Sequence, residues 1–179
     1  MEVLDLIKNR QSVRAFLNNP VSKKTLIDIF EAARFAPSGV NHQPWEVAVL
    51  SDPVRKKLSK AIIDARERGT PENPDYDYYP GEWVEPYKAR RKACGLAMYG
   101  ALDIAYEDKA RRKEQWFKNY VFFNAPVALL FYLNKHLSTG SWMDMGGFLQ
   151  TVMLTARGFG LETCAQAALA EYPDLVRSI

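Results

Sequence analysis

The sequence predicts a sheet domain of the α/β or α+β class, and three observations predict it. The chain has 179 residues, the length of one domain with its own core. Apolar residues make up 47% and charged residues 25%, ordinary globular usage rather than a disordered or low-complexity chain. Short strand-like runs alternate with longer helix-like ones along the sequence, the pattern of helices packed on a sheet.

The elements follow in order. Met1 to Lys8 has a short helical pattern, and Asn9 to Arg14 is polar and cationic. Val21 to Phe35 is a helix, because Leu26, Ile29, Phe30 and Ala33 repeat at the spacing of one helical face. Ser22 is its N-cap and Pro37-Ser38-Gly39 ends it. Trp45 to Leu50 is a strand. Asp52-Pro53 opens a further helix, with Asp52 as the cap.

Gly69 to Tyr87 differs in character. Pro71, Pro74, Pro80 and Pro86 exclude a continuous helix, and Tyr76, Tyr78, Tyr79, Trp83 and Tyr87 give an aromatic content suited to a packed flap. Lys88 to Trp116 is helical in composition, Val127 to Leu133 is a buried strand, and Trp142 to Phe159 is a long apolar helix ended by Gly158 and Gly160. Thr163 to Leu169 reads as a strand of small residues.

Several function classes are excluded or disfavoured. The net charge of +3 is too mild for a nucleic-acid binder without a clustered basic face. No apolar run reaches the ~20 residues of a membrane span. The two histidines, His42 and His136, stand apart, so no HExxH-type metal site is available. Cys94 and Cys164 form no CxxC pair and read as small core residues. With no signal peptide, the expected setting is cytoplasmic. Gly158-Phe159-Gly160 lacks the third glycine of a dinucleotide fingerprint and follows a helix. A phosphate-binding P-loop and a G-x-S-x-G nucleophile elbow are also absent.

Two segments carry chemistry. In Arg10-Gln11-Ser12-Val13-Arg14, two guanidinium forks flank a hydroxyl. An extended backbone places Arg10, Ser12 and Arg14 on one face, a set suited to phosphate; a solvated basic turn has the same composition. In Ala36 to Trp45, the carboxamides of Asn41 and Gln43 offer donors and acceptors for a heteroaromatic edge. An ordinary helix-to-strand loop uses the same residue types. Trp45 reads as core, and His42 carries no assigned proton-transfer role. The triplets Arg90-Arg91-Lys92 and Arg111-Arg112-Lys113 read as solvated helix faces paired with Glu85, Glu107, Asp108 and Glu114. Recognition of a nicotinamide phosphate or an anionic aromatic is the alternative. Gly146-Gly147 weakens its helix and suits close approach of another backbone at a dimer seam.

Arg10-Gln11-Ser12-Val13-Arg14-Ala15-Phe16, Glu31-Ala32-Ala33-Arg34 and Ala36-Pro37-Ser38-(x)2-Asn41-(x)-Gln43-Pro44-Trp45 together resemble the N-terminal signature of the nitroreductase family. Phe123-(x)-Ala125-Pro126-Val127, Asp144 to Gln150, and Gly160 to Gln166 resemble its later blocks. The resemblance covers nearly the whole chain. It implies an α+β fold, α/β/α sandwich-like, with a mostly antiparallel central sheet surrounded by helices. It further implies residues 1–179 as a single domain with a flap excursion near 69–87, in an intertwined homodimer holding FMN at the subunit interface.

By position, the resemblance implies that Arg10, Gln11, Ser12 and Arg14 hold the FMN phosphate and ribityl chain. It places Pro37, Ser38, Gly39 and Asn41 against a flavin bound mainly by the other protomer, with Gln43 beside them. It sets the backbone of Gln166, Ala167 and Ala168 against the isoalloxazine, where an N–H near N5 favours the reduced ring. Tyr79, Trp83 and Tyr87 of the flap are candidate substrate contacts. The implied activity is an NAD(P)H-consuming, FMN-dependent ping-pong reduction of nitroaromatics, quinones or related acceptors, with no catalytic side chain. Reductive dehalogenation, ene reduction on the same fold, and a non-catalytic flavin-binding dimer are the alternatives. Members of the family also continue into a C-terminal segment that wraps the partner and brings another basic residue to the phosphate. The sequence ends at Ile179: either it is a piece of a longer chain or the natural protein is shortened, and loss of that segment would weaken flavin retention and the dimer.

Overall fold

The computed structural model describes residues 2–179. They form two compact units, one of residues up to 55 with 124–165 and one of residues 56–123 with 166–179.

In the first unit, α1 (Val3–Asn9), α2 (Lys23–Ala33), β1 (Glu46–Leu50), β2 (Ala128–Tyr132) and α6 (Thr139–Gly158) follow in chain order. Ser22 caps α2 by accepting from the Thr25 N–H at 3.0 Å, satisfying one of the unpaired donors of the first turn. The apolar stripe of α2 meets α6: Ile29, Ala33, Ala36, Phe148, Val152 and Ala156 form one buried cluster. Trp45 packs on it as expected, its ring stacked on Phe148 with centroids 4.5 Å apart. β1 and β2 pair antiparallel from Glu46 opposite Tyr132 to Leu50 opposite Ala128. Their register partners Val47 and Phe131 both lie against the same cluster. Truncating Phe148 to alanine would cost about 3–5 kcal/mol at such a site.

α6 ends in a Schellman motif. The Gly160 N–H donates to the Arg157 carbonyl at 2.9 Å and the Leu161 N–H to the Ala156 carbonyl at 3.0 Å. Gly160 has φ +75°, a left-handed position that glycine takes without steric cost. The chain then turns back, and Ser12 and Thr163 make a parallel bridge. The strand expected over Thr163 to Leu169 stops there: Ala168–Glu171 is a 3-10 turn. Ala165, Ala167, Ala168 and Ala170 favour helix over strand and offer no branched side chains to a pleated surface.

The second unit holds most of α3 (Asp52–Glu67), with α4 (Tyr87–Ala101), α5 (Lys109–Phe117) and the short α7 (Pro173–Arg177). Asp52 is already inside α3, and the Ser51 carbonyl takes its first bond, from Arg55. The single helix expected from Lys88 to Trp116 is two. Asp103 adopts φ +51°, the Arg111 guanidinium fastens its carbonyl at 2.8 Å, and Asp108 caps α5 by accepting from the Arg111 N–H. Aspartate tolerates the left-handed turn and competes for backbone donors better than most residues.

Cys94 is exposed, not a core residue, because α4 buries no residue at all. The basic triplets also differ from expectation. Arg91 lies over Trp83, Arg90 over Tyr87, Arg112 over Tyr99 and Tyr106, and Lys113 over Phe117. Among the described residues none of these cations pairs with an acid; the aromatic faces attract the charge instead. Among the described residues no helix is long and apolar enough to cross a membrane.

Candidate functional site

The basic segment leaves α1 at Arg10, whose backbone is extended. The Val13 N–H donates to the Thr163 carbonyl at 3.0 Å, which fixes the segment beside the chain that follows α6. Ser12 and Arg14 are exposed and Arg10 is half-buried. Arg10 forms no ion pair and the Ser12 hydroxyl no hydrogen bond among the described residues. Gln11 is exposed beside them. Two cations and a hydroxyl on a short extended segment are an anion-binding arrangement. Burial pushes the nearby Cys164 thiol up, and Arg14 opposes that rise. Cys164 is therefore held as a thiol rather than a nucleophilic thiolate.

The second candidate segment is the turn after α2. Pro37 is exposed, and Gly39–Asn41 is a 3-10 turn in which Val40 and Asn41 have φ +44° and +58°; Gln43 follows at +45°. Three left-handed residues in four, one of them β-branched, store about 1–2 kcal/mol each. Side chains hold the turn in place. The Gln43 N–H donates to Ser38 Oγ at 3.0 Å, and Gln43 Nε2 donates to Asn41 Oδ1 at 3.3 Å. The Gly39 N–H donates to Asp144 Oδ2 on α6 at 3.2 Å. His42 Nδ1 lies 2.5 Å from the Gly39 carbonyl and its Nε2 3.0 Å from Ser141 Oγ, also on α6. Val40 is 99% exposed and Phe35 84% exposed.

The remaining candidates lie in the second unit. Gln166 Nε2 donates to the Asn119 carbonyl at 2.7 Å, so its side chain is occupied in fixing the 166–168 backbone. Ala167 is half-buried and Ala168 is buried. The flap is anchored at its start: the Asn73 N–H donates to the Glu171 carbonyl at 3.0 Å, and Asp75 pairs with Arg177. Tyr78 and Tyr79 pack edge to face, and Tyr79 leans on Trp83. Tyr79 and Tyr87 remain more than half exposed.

Sequence reasoning missed two groups. Asp144 and Ser141 fasten the turn at 39–43. Their signal was a pair of polar residues three apart on an otherwise apolar helix, a spacing that puts both on one face. The other group is Arg66, Tyr120 and Glu171. Arg66 Nη1 donates to Glu171 Oε2 at 2.9 Å and to Glu72 Oε1 at 2.7 Å. The Tyr120 hydroxyl donates to Glu171 at 2.5 Å and accepts from Trp116 Nε1. Burial raises the Glu171 carboxyl above its ordinary range, against the Tyr120 hydrogen bond. Burial, then the bond to Glu171, pushes the Tyr120 phenol up as well. These residues are far apart in sequence, so no local pattern announced them.

The comparisons agree with this architecture. The nitroreductase family model matches residues 7–179. The 4-nitrobenzoate reductase of Pseudomonas putida is 37% identical over 172 residues, 96% of this chain and 75% of that protein. The nitrobenzene nitroreductase of Ectopseudomonas oleovorans is 38% identical over 164 residues, 90% of this chain and 72% of its own. Among solved structures, the FMN and NADPH-dependent nitroreductase NfnB from sphigopyxis sp. strain HMH superposes with a TM-score of 0.94 at 38% identity, covering 99% of this chain and 80% of that one. The chain belongs to the nitroreductase family and has its α+β fold.

Proposed function

We propose that this protein is an FMN-dependent oxidoreductase that draws on NAD(P)H to reduce nitroaromatic compounds. One observation carries the reading: similarity at 37–38% identity spans nine-tenths or more of the chain in proteins named as nitroaromatic reductases and in a structure described as FMN and NADPH-dependent. The residues present suit the cofactor. Arg10 and Arg14 bring two positive charges, and the exposed Ser12 hydroxyl adds a donor, for a phosphate monoester. Arg10 has no acidic partner among the described residues to neutralise it. The carboxamides in the turn at Pro37–Gln43 suit the edge of a flat heteroaromatic ring.

FMN, when bound, supplies the two-electron exchange between a nicotinamide and an acceptor. This chain's own residues then bind and orient. Arg10, Gln11, Ser12 and Arg14 hold the phosphate end, Ser38, Gly39, Asn41 and Gln43 fix the turn beside the ring, and Tyr79, Trp83 and Tyr87 offer aromatic faces to a planar substrate.

The working form is a homodimer in this reading. α1 buries none of its residues, and Val3, Leu4, Phe35, Val40 and Met143 are exposed apolar side chains of the first unit. Gly146 and Gly147 meet no atom within 4 Å where a Cβ would stand, so the chain itself supplies no reason for two glycines on α6. A second copy would cover that apolar surface and supply the close approach.

The visible spectrum of the purified protein with added FMN tests the reading. A bound flavin band that NAD(P)H bleaches and a nitroarene restores is the expected result. Bound flavin that NAD(P)H leaves unchanged would favour a flavin-binding module, and no binding of FMN would remove the proposal. Light scattering with and without FMN checks the dimer.

A further inference from the structure

We infer that His42 is a positioning residue for the cofactor turn, latching its left-handed backbone to α6; the inference rests on reading residues 37–43 as the flavin loop. The geometry fixes the proton. A carbonyl oxygen only accepts, so the short contact with the Gly39 oxygen places the hydrogen on Nδ1. Nε2 lies within hydrogen-bond distance of the Ser141 hydroxyl. The imidazole is thereby a strut joining a strained turn to the first turn of a long helix.

Asp144 completes the latch. Its Oδ2 accepts the Gly39 N–H and lies 3.8 Å from His42 Nε2. Both backbone groups of Gly39 are therefore tied, one through His42 and one directly to Asp144. Without these ties the left-handed residues Val40, Asn41 and Gln43 would relax toward ordinary backbone. Ser141 and His42 superficially form a nucleophile and base, but Ser141 is 5% exposed. No substrate atom can reach its hydroxyl, so the pair holds structure and moves no acyl group.

The test uses the full chain and three substitutions. An asparagine amide at position 42 reproduces the Nδ1 donor, whereas a glutamine amide reaches toward Ser141 and leaves the Gly39 carbonyl with the backbone N–H of residue 42 alone. FMN affinity is measured by fluorescence quenching, and hydrogen exchange of residues 38–43 is followed in the protein without FMN. H42A and H42Q should weaken FMN binding about 10-fold, the loss expected from one hydrogen bond to a strained segment, and should speed exchange across the turn. H42N should restore most of the affinity and the protection. Wild-type affinity and protection in H42A, or equal rescue by H42Q and H42N, would overturn the latch. Should H42A not fold, the comparison of H42N with H42Q decides. Failure of the wild type to take up FMN would instead sink the functional reading, while exchange at 38–43 still reports on the latch.

Discussion

Ser12 stands in a parallel bridge with Thr163, in which the Val13 N–H donates to the Thr163 carbonyl at 3.0 Å. The bridge aligns the basic segment near the chain's start with the segment that leaves α6. It holds Arg10 and Arg14 in an extended stretch, where two guanidinium groups can address one anion.

Arg10→Ala and Arg14→Ala should each weaken FMN binding by about 10-fold, roughly 1.4 kcal/mol, and the double variant by more. The losses should shrink at high salt, because the attraction is between partly exposed charges. Arg14→Lys keeps the charge and loses the planar fork, so it should fall between wild type and Arg14→Ala. Fluorescence titration at two ionic strengths checks all three. Unchanged affinity in both single variants would remove the phosphate role.

Glu171 predicts a pH effect. Burial raises its carboxyl above the ordinary carboxylate range, so the folded state takes up a proton before the unfolded chain does. Its contribution to stability is fully present below the ordinary carboxylate value and is lost as pH rises through the raised one. Wild type should therefore gain on Glu171→Gln as pH falls from neutral, and the gain should level off below the ordinary value. At neutral pH Glu171→Gln should cost under about 1 kcal/mol, since the amide oxygen still accepts from Tyr120. Glu171→Ala should cost about 2–3 kcal/mol by leaving the Tyr120 hydroxyl without its acceptor and taking one of the two carboxylates from Arg66. Urea unfolding across pH 4–8 measures both.

Gly160→Ala should destabilise the first unit by about 1–2 kcal/mol, the cost of forcing a Cβ into the left-handed region. No neighbour lies within 4 Å of where that Cβ would be, so the loss is conformational rather than a clash. Gly158→Ala, inside the helix and equally uncrowded, should be neutral or slightly stabilising. Thermal unfolding of the pair separates the two cases, and equal Tm values would refute the Schellman argument.

Local patterns read well where one helix face or one cap decided the outcome. The α2 stripe of Ile29 and Ala33, the Ser22 cap and the glycine stop at Gly160 all follow from short-range chemistry. The strand expected after Thr163 failed because alternation was judged on apolarity alone, and alanine is apolar without being a strand former. The helix expected from Lys88 failed at Asp103, where an aspartate that tolerates left-handed backbone ended a helical composition. The paired acids assigned to the basic triplets failed because ring faces compete for cations, a contact that depends on three-dimensional proximity. The segments bearing Arg10 to Arg14 and Pro37 to Gln43 were legible as blocks. The struts behind the second, Ser141 and Asp144, lie about a hundred residues further on and emerged only with α6 in place.

The flap gives the last expectation. Tyr79 leans on Trp83, and Arg91 lies 5.1 Å from the centre of the Trp83 ring, so the indole is held from two sides while Tyr79 stays 60% exposed. A ring supported in that way can stack on a planar acceptor with little further loss of side-chain freedom. Trp83→Ala should raise KM for a nitroarene about 5- to 10-fold, of the order of one aromatic pair, with FMN affinity unchanged. Trp83→Phe should recover most of the loss. Arg91→Ala, which frees the indole without removing it, should show a smaller rise in KM. Steady-state kinetics beside a flavin titration checks the set: a parallel fall in FMN affinity would assign Trp83 to the cofactor, and unaltered KM in Trp83→Ala would leave the flap without a role in substrate binding.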